Sequence, residues 1–357
     1  MERLYGSGLI RKLLIDGKTV LIQHESGWLP PVLEQSEGKQ RRIGVEIELA
    51  GIEPELLCNS ISSLYGGEIK QHTALEYLVT DTKMGDFVVE LDTSYLKALA
   101  EKYKEQNIDN TFVNALPMEL ITKAAEQIVP WEVVTPPMPI SKLNTLTLLL
   151  KQLRESGALG TRHALHFAFG VHLNPELPRL DVTTVLSYLR AYFCLYDWIV
   201  MHEDTDLARR LTTYIKHFDK DYVKKIVDLS YQPSIDQLID DYLLYNPTRN
   251  RSLDMLPLFA YLDKDRVNGA IKDPRIKARP TFHYRLPNCD IDNPEWNIDL
   301  PWFLWLHVEK LAAQPQLLAT LCDQYTTELA KILNPFGEPW RIRVDRFLRA
   351  HELGKSS

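Results

Sequence analysis

The chain has 357 residues, 45% of them hydrophobic and 25% charged, with a formal net charge of −7. That balance is the ordinary globular one and excludes a disordered, collagen-like or coiled-coil chain. The acidic balance argues against nucleic acid and anionic membrane surfaces as partners.

In chain order, Leu9 to Gln23 reads as a hairpin around Asp16-Gly17, a type I′ turn signal. A connector with Pro30-Pro31 follows. Strands are expected at Arg42–Leu49, Phe87–Leu91, Trp131–Thr135, Leu165–Leu173 and Thr281–Leu286. Helices are expected at Pro54–Tyr65, at Ser94–Gln106, and at Ser141–Ser156 with Ser141 as cap. Residues 182 to about 265 read as almost wholly helical, including Val182–His202, Asp206–His217 and Ser234–Leu244. Pro301–Leu311, Gln316–Leu333 and Arg341–Glu352 are C-terminal helical patterns. Separated strands and helical blocks predict an α+β fold rather than regular βαβ units. Residues 1–40 form a hairpin and connector in this reading. Residues 41–357 form one catalytic domain with a helical insertion at about 182–265.

The N-terminus has no leader-like apolar stretch, and no run reaches the length of a spanning helix. The four cysteines form no CxxC pair, so free thiols and a cytoplasmic location are expected.

Parity along the strands carries the functional signal. In Arg42-Ile43-Gly44-Val45-Glu46-Ile47-Glu48-Leu49 the odd positions are apolar, so Arg42, Glu46 and Glu48 share the opposite face. Glu90 and Asp92 share a face of the Phe87–Leu91 segment and its continuation, and Glu132 is the one acid of its strand. His172 and Asn174 share a face, as do His283 and Arg285. These polar residues are ionisable types on short, mostly apolar strands, not the Thr, Ser or Lys of a wet face. Residues two apart on a strand are roughly 6–7 Å apart. Converging carboxylates repel and raise each other's pKa, so a positive partner is required. Divalent cations with oxygen ligands meet that need, with Mg²⁺ and phosphates the common case and the two histidines admitting Mn²⁺. Arg285 would then face a phosphate. In the loop Asn246-Pro247-Thr248-Arg249-Asn250-Arg251, Arg249 and Arg251 are candidates for binding a carboxylate or phosphate. His202-Glu203-Asp204 reads as a helix end, and His163-x-x-His166 is too sparse for zinc. No P-loop and no dinucleotide-binding glycine motif is present.

Together these segments resemble the amidoligase family of the carboxylate–amine ligase superfamily, related to glutamine synthetase and glutamate–cysteine ligase. Arg42 to Glu48 looks like the family's R-x-G-x-E-x-E strand, and Glu90 to Ser94 like its second acidic element. Glu132-Val133-Val134-Thr135-Pro136 is similar to E-x-V-[ST]-P, and Gly170 to Asn174 to G-x-H-V-[HN]. Thr281 to Arg285 resembles the late E-x-R strand, with His283 standing where the family has glutamate. The resemblance implies a glutamine-synthetase-like curved antiparallel sheet with flanking helices, whose concave face holds Mg²⁺ or Mn²⁺ and ATP. It implies metal ligation by Glu46, Glu48, Glu90, Glu132 and His172, with His283 a further candidate. It implies phosphate contact by Arg285. Arg42 and Asn174 are added as substrate- or phosphate-binding candidates, and Asp92 is a candidate base for the amine. The implied reaction is phosphorylation of a small-molecule or peptide carboxylate by ATP, then attack by an amine. A guanidino-kinase-like phosphotransferase and a non-catalytic scaffold remain alternatives. The oligomeric state is left open.

Overall fold

Alternation along Arg42–Leu49 decides the layering. In this strand, β3, Ile43, Val45, Ile47 and Leu49 are fully buried, while Arg42 is exposed and the residues between them are only partly covered. Burying each such side chain stabilises the fold by about 1.5–3 kcal/mol. The computed structural model describes residues 11–15, 18–22, 28–91, 130–161, 169–203, 218–330 and 338–353.

Two strands, β1 (Arg11–Ile15) and β2 (Lys18–Ile22), pair as an antiparallel hairpin. The main sheet contains β3, β4 (Glu68–Thr73), β5 (Glu76–Thr80), β6 (Phe87–Leu91), β7 (Trp131–Val134), β8 (Met138–Pro139), β9 (Val171–Pro175), β10 (Leu253–Asp254) and β11 (His283–Tyr284). Its order is β10-β11-β9-β3-β7-β6-β5-β4, and β8 pairs with the start of β3 beyond β7. Every pairing is antiparallel.

Helices cover the apolar face. The helix α1 (Pro54–Tyr65) stacks Tyr65 on Phe87 of β6 at 5.5 Å between ring centroids. After α2 (Leu146–Glu155) comes the long α3 (Val182–Glu203), whose Tyr188 stacks on Phe282 at 4.9 Å. Four shorter helices follow: α4 (Lys220–Val227), α5 (Ile235–Tyr245), α6 (Leu256–Leu262) and α7 (Lys264–Ala270). The helix α8 (Asp299–Ala312) sets Trp305 against Phe282 and Tyr284. The chain then forms α9 (Pro315–Leu329) and α10 (Trp340–Ala350).

A buried ion pair ties the sheet to this layer. Arg41, at the start of β3, makes two bonds to Glu309 of α8, at 2.8 and 3.0 Å. Tyr188 and Trp305 also donate to the Glu309 carboxylate. Arg41 further donates to the Glu176 carbonyl at 2.8 Å and to the Val32 carbonyl at 2.7 Å. Among the described residues no helix is long and apolar enough to cross a membrane. All four cysteines are free and buried.

The mixed α+β architecture agrees with the sequence expectation, and β3, β6 and α1 have the expected bounds. Several expectations need correction. The helix expected from Ser141 begins at Leu146, because Ile140–Thr145 forms a 3-10 turn. Ile140 and Leu143 are buried, and the three-residue turn stacks them on one side. Ser141 is therefore no cap, and Thr145 gives no side-chain cap bond either. The strand expected at Thr281–Leu286 is regular only at His283–Tyr284. Thr281 still bridges Glu176, and the Arg285 N–H donates to the Ser252 carbonyl at 2.8 Å. The stretch expected to be almost wholly helical contains β10, which adds an edge strand to the sheet. Strands β4 and β5 were not anticipated. The helices expected at Ser94–Gln106 and Asp206–His217, the turn Asp16-Gly17 and His163-x-x-His166 lie outside the described residues.

Candidate functional site

The register of the sheet converts separate parity patterns into rows. Directly opposed residues of an antiparallel pair project to the same face. Glu48 opposes Glu132, Glu132 opposes Glu90, and Glu90 opposes Glu76, so four glutamates from four neighbouring strands form one row. One step along, Glu46 opposes His172. On the far side of β9 the register sets His283 beside Asn174, and Asp254 opposes His283. Opposed side chains sit roughly 5 Å apart. At an effective dielectric near 20, two carboxylates at that distance repel by about 3 kcal/mol, less where water screens them. Three adjacent pairs of that size approach the whole stability of a domain, so the row calls for cations.

His172 joins the rows. Its Nδ1 lies 2.9 Å from Glu46 Oε2 and 3.9 Å from Glu132 Oε1, and its Nε2 lies 3.4 Å from Glu48 Oε1. A neutral imidazole donates from one nitrogen only. The other nitrogen meets a carboxylate lone pair to lone pair, unless a proton or cation stands between them. Glu48 is fixed from behind by the Gly170 N–H, which donates to its Oε2 at 2.6 Å.

Asn174 orders the next group. Its amide donates to Glu46 Oε1 at 3.1 Å, and its Oδ1 accepts from Arg279 Nη2 at 2.8 Å. The Nδ1 of His283 lies between Asn174 Oδ1, at 2.7 Å, and Arg279 Nη2, at 3.0 Å, and its Nε2 lies 4.0 Å from Glu46 Oε2. The two imidazoles meet edge to face at 5.1 Å. Arg279 Nη2 also bonds Glu46 Oε1 at 3.1 Å. Burial opposes ionisation of Glu46, but His283, Arg279 and His172 outweigh it and hold the carboxyl well below its ordinary value. Burial pushes the His283 imidazole well below its ordinary value, against the pull of the Glu46 carboxylate, and Arg279, His172 and Arg285 lower it further.

Two groups of three side chains present ligand atoms within 4.8 Å of one another: Glu46, His172 and His283, and Glu48, Glu132 and His172. Carboxylate oxygens with imidazole nitrogen suit Mg²⁺ or Mn²⁺ better than a thiophilic ion. The residues present fit a divalent cation on that donor chemistry and on the carboxylates facing both nitrogens of His172.

The rows open into a cavity of about 640 Å³. It is lined by the acids Glu46, Glu76, Glu90 and Glu132 and by the cations Arg249, Arg275, Lys277 and Arg279. Burial lowers the pKa of Arg249, and the neighbouring Arg285 and Arg275 lower it further, as expected where cations gather ahead of an anion.

The anticipated residues divide as follows. Glu46, Glu48, Glu90, Glu132, His172, Asn174 and His283 share one face of the sheet, and Arg249 lines the same cavity as Glu46, Glu90, Glu132 and His283. Arg285 donates from Nη1 to the Arg249 carbonyl at 2.7 Å. Arg251 is over the Phe218 ring at 5.6 Å, away from the side chains lining the cavity. Arg42 is paired with Glu176 at 2.8 Å at the far end of β3 and does not line the cavity. Asp92 lies outside the described residues. Sequence reading missed Glu76, Asp254 and Arg279. The alternation Glu76-Tyr77-Leu78-Val79, with Tyr77 and Val79 buried, could have revealed the first.

Residues 39–307 match a family described as "putative amidoligase enzyme". The chain belongs to this amidoligase family. The matched span runs from just before β3 to α8 and so contains every described strand of the main sheet. No curated protein and no solved structure compared with the chain matches it. Membership indicates an amide-forming ligase-type enzyme, and the paired acid and histidine groups of this amidoligase are consistent with use of a metal ion.

Proposed function

We propose that this amidoligase is an ATP- and Mg²⁺-dependent carboxylate–amine ligase on a glutamine-synthetase-like sheet, acting through an acyl phosphate. The observation that carries the reading is one cavity lined both by three glutamates of the row, Glu76, Glu90 and Glu132, with Glu46, and by the cations Arg249, Arg275, Lys277 and Arg279. Glu46, Glu48, Glu90, Glu132, His172 and His283 would hold divalent cations, Mn²⁺ being acceptable in place of Mg²⁺. Bound there, such ions offset negative charge on the β- and γ-phosphates of ATP.

The chain's own groups supply position and electrostatics. Arg249, Arg279 and Arg285 would grip the transferred phosphoryl group, and Lys277 and Arg275 the rest of the anion. A substrate carboxylate, from a small molecule or a peptide, would attack the γ-phosphorus, breaking its bond to the β-phosphate oxygen so that ADP leaves and an acyl phosphate forms. The amine would then attack the acyl carbon, phosphate would leave, and the amine nitrogen would give up its proton. Preorganised charges acting in a shielded cavity account for the absence of a side-chain nucleophile from this scheme. In this reading residues 41–357 are one catalytic domain, with residues 182 to about 265 inserted into it, in the cytoplasm.

The test is a product screen with Mg²⁺-ATP and pooled acids and amines, read by mass spectrometry. An amide with ADP and phosphate is expected. A phosphorylated guanidine would assign a phosphotransferase instead. No product and no ATP binding would leave a scaffold that keeps the fold.

A further inference from the structure

We infer that Asp254 is a positioning residue that gathers Arg249, Arg279 and Arg285 into one anion-gripping wall. Its placement is the starting observation. Asp254 ends the two-residue strand β10, directly opposite His283, so its carboxylate projects to the same face of the sheet as the acid and histidine rows. It is completely buried. One oxygen accepts from the Leu256 N–H at 3.0 Å, and the other, Oδ2, is buried without a hydrogen-bond partner. Burial pushes its pKa up to about 6, against the Leu256 N–H and the charges of Arg285, Arg249 and Arg279, none of which is in direct ion-pair contact with it.

A buried carboxylate with one oxygen unmatched is costly to a fold. Packing alone gives no reason to keep it, because an asparagine has the same shape. The arginines give the reason. Arg249 and Arg279 line the cavity, and Arg285 reaches the Arg249 backbone through a bond of 2.7 Å. Like charges so close repel each other, and Arg285 and Arg275 already depress the pKa of Arg249. A carboxylate behind them, out of reach of solvent, offsets that repulsion whenever it is ionised. An anion entering the cavity meets Arg249 and Arg279 on its lining. The inference rests on the proposed ligase reading for what that anion is, namely the polyphosphate of a nucleotide, but not for the existence of the anion site.

The experiment compares wild type with Asp254→Asn by calorimetric titration with inorganic pyrophosphate and with Mg²⁺-ATP, alongside thermal unfolding. The expected result is a loss of at least tenfold in pyrophosphate affinity with a melting temperature that holds or rises. Asp254→Ala, which also opens a small hole, should lose affinity to the same extent while melting lower. Unchanged pyrophosphate affinity in Asp254→Asn overturns the inference. So does a parallel loss of affinity and stability in Asp254→Asn, which is what a structural role produces. Wild type that binds no pyrophosphate overturns it too. Wild type that binds pyrophosphate but not Mg²⁺-ATP overturns the ligase reading while leaving Asp254 its role.

Discussion

Glu46 and His172 stand directly opposed on β3 and β9 and meet at 2.9 Å, while the other nitrogen of the same ring lies 3.4 Å from Glu48. One imidazole is thus held between carboxylates on both edges. Such an arrangement is stable only when a proton or a cation supplies the missing charge. The row of Glu48, Glu132, Glu90 and Glu76 beside it extends the same demand across four strands.

This repulsion should be visible in metal-free protein. Glu132→Gln is expected to raise stability in chelator by about 1–3 kcal/mol, because one like charge leaves the row. With saturating Mn²⁺ the order should reverse, since wild type gains binding energy that the variant lacks. Thermal unfolding with and without Mn²⁺ checks both halves. Higher stability of wild type in chelator would show that the row is not strained.

His172 belongs to both groups of clustered ligand atoms, so its removal should affect both. His172→Ala is expected to weaken Mn²⁺ binding at least tenfold, measured by the electron paramagnetic resonance of free Mn²⁺. His72, on the exposed strand β4, is the control, and His72→Ala should leave that binding unchanged.

The Arg41–Glu309 pair is a structural joint rather than part of the site. Both side chains are almost fully buried. Arg41→Met should cost about 3–5 kcal/mol, because Glu309 is left charged and buried. Combining it with Glu309→Leu should recover a good part of that loss. Urea unfolding of the two variants decides the point. A double variant less stable than Arg41→Met alone would contradict it.

His307 sets an acid limit on stability. It is buried on α8, donates from Nδ1 to the Phe303 carbonyl at 2.9 Å, and burial pushes its pKa down to about 3. Its ordinary value in an unfolded chain is about 6.5. Between these two values the unfolded state binds more protons, so stability rises with pH across that window and falls on acidification. Going from pH 7.5 to pH 5 should cost about 2 kcal/mol from this residue. Urea unfolding at the two pH values should show a smaller difference in His307→Gln than in wild type. An equal difference would remove His307 from the account.

The parts of the fold that were legible in the sequence are those where side-chain type alternates over several residues. Arg42–Leu49 has four buried apolar residues on one face, and the face each of its residues takes could be anticipated from that alone. Glu132 and Glu90 stood out because each interrupts an apolar strand. Three site residues gave weaker signals or none. Glu76 sits on a strand whose partner β4 is wholly exposed, so the pair carries no strong apolar pattern. Asp254 precedes α6 and bonds the Leu256 N–H, which in sequence looks like a helix cap, and its two-residue strand exists only through pairing with β11. Arg279 lies on an irregular segment, and its bonds to Glu46 and Asn174 join residues 233 and 105 positions apart. Long-range contacts made from irregular backbone leave no periodic trace.

The most direct test of the account is calorimetric titration of Mg²⁺-ATP into wild type, Glu46→Gln and Glu132→Gln. The acid face predicts that wild type binds Mg²⁺-ATP, that chelating the metal abolishes most of the binding, and that each variant binds at least tenfold more weakly. Equal affinity in all three proteins, or binding indifferent to the metal, would contradict the account.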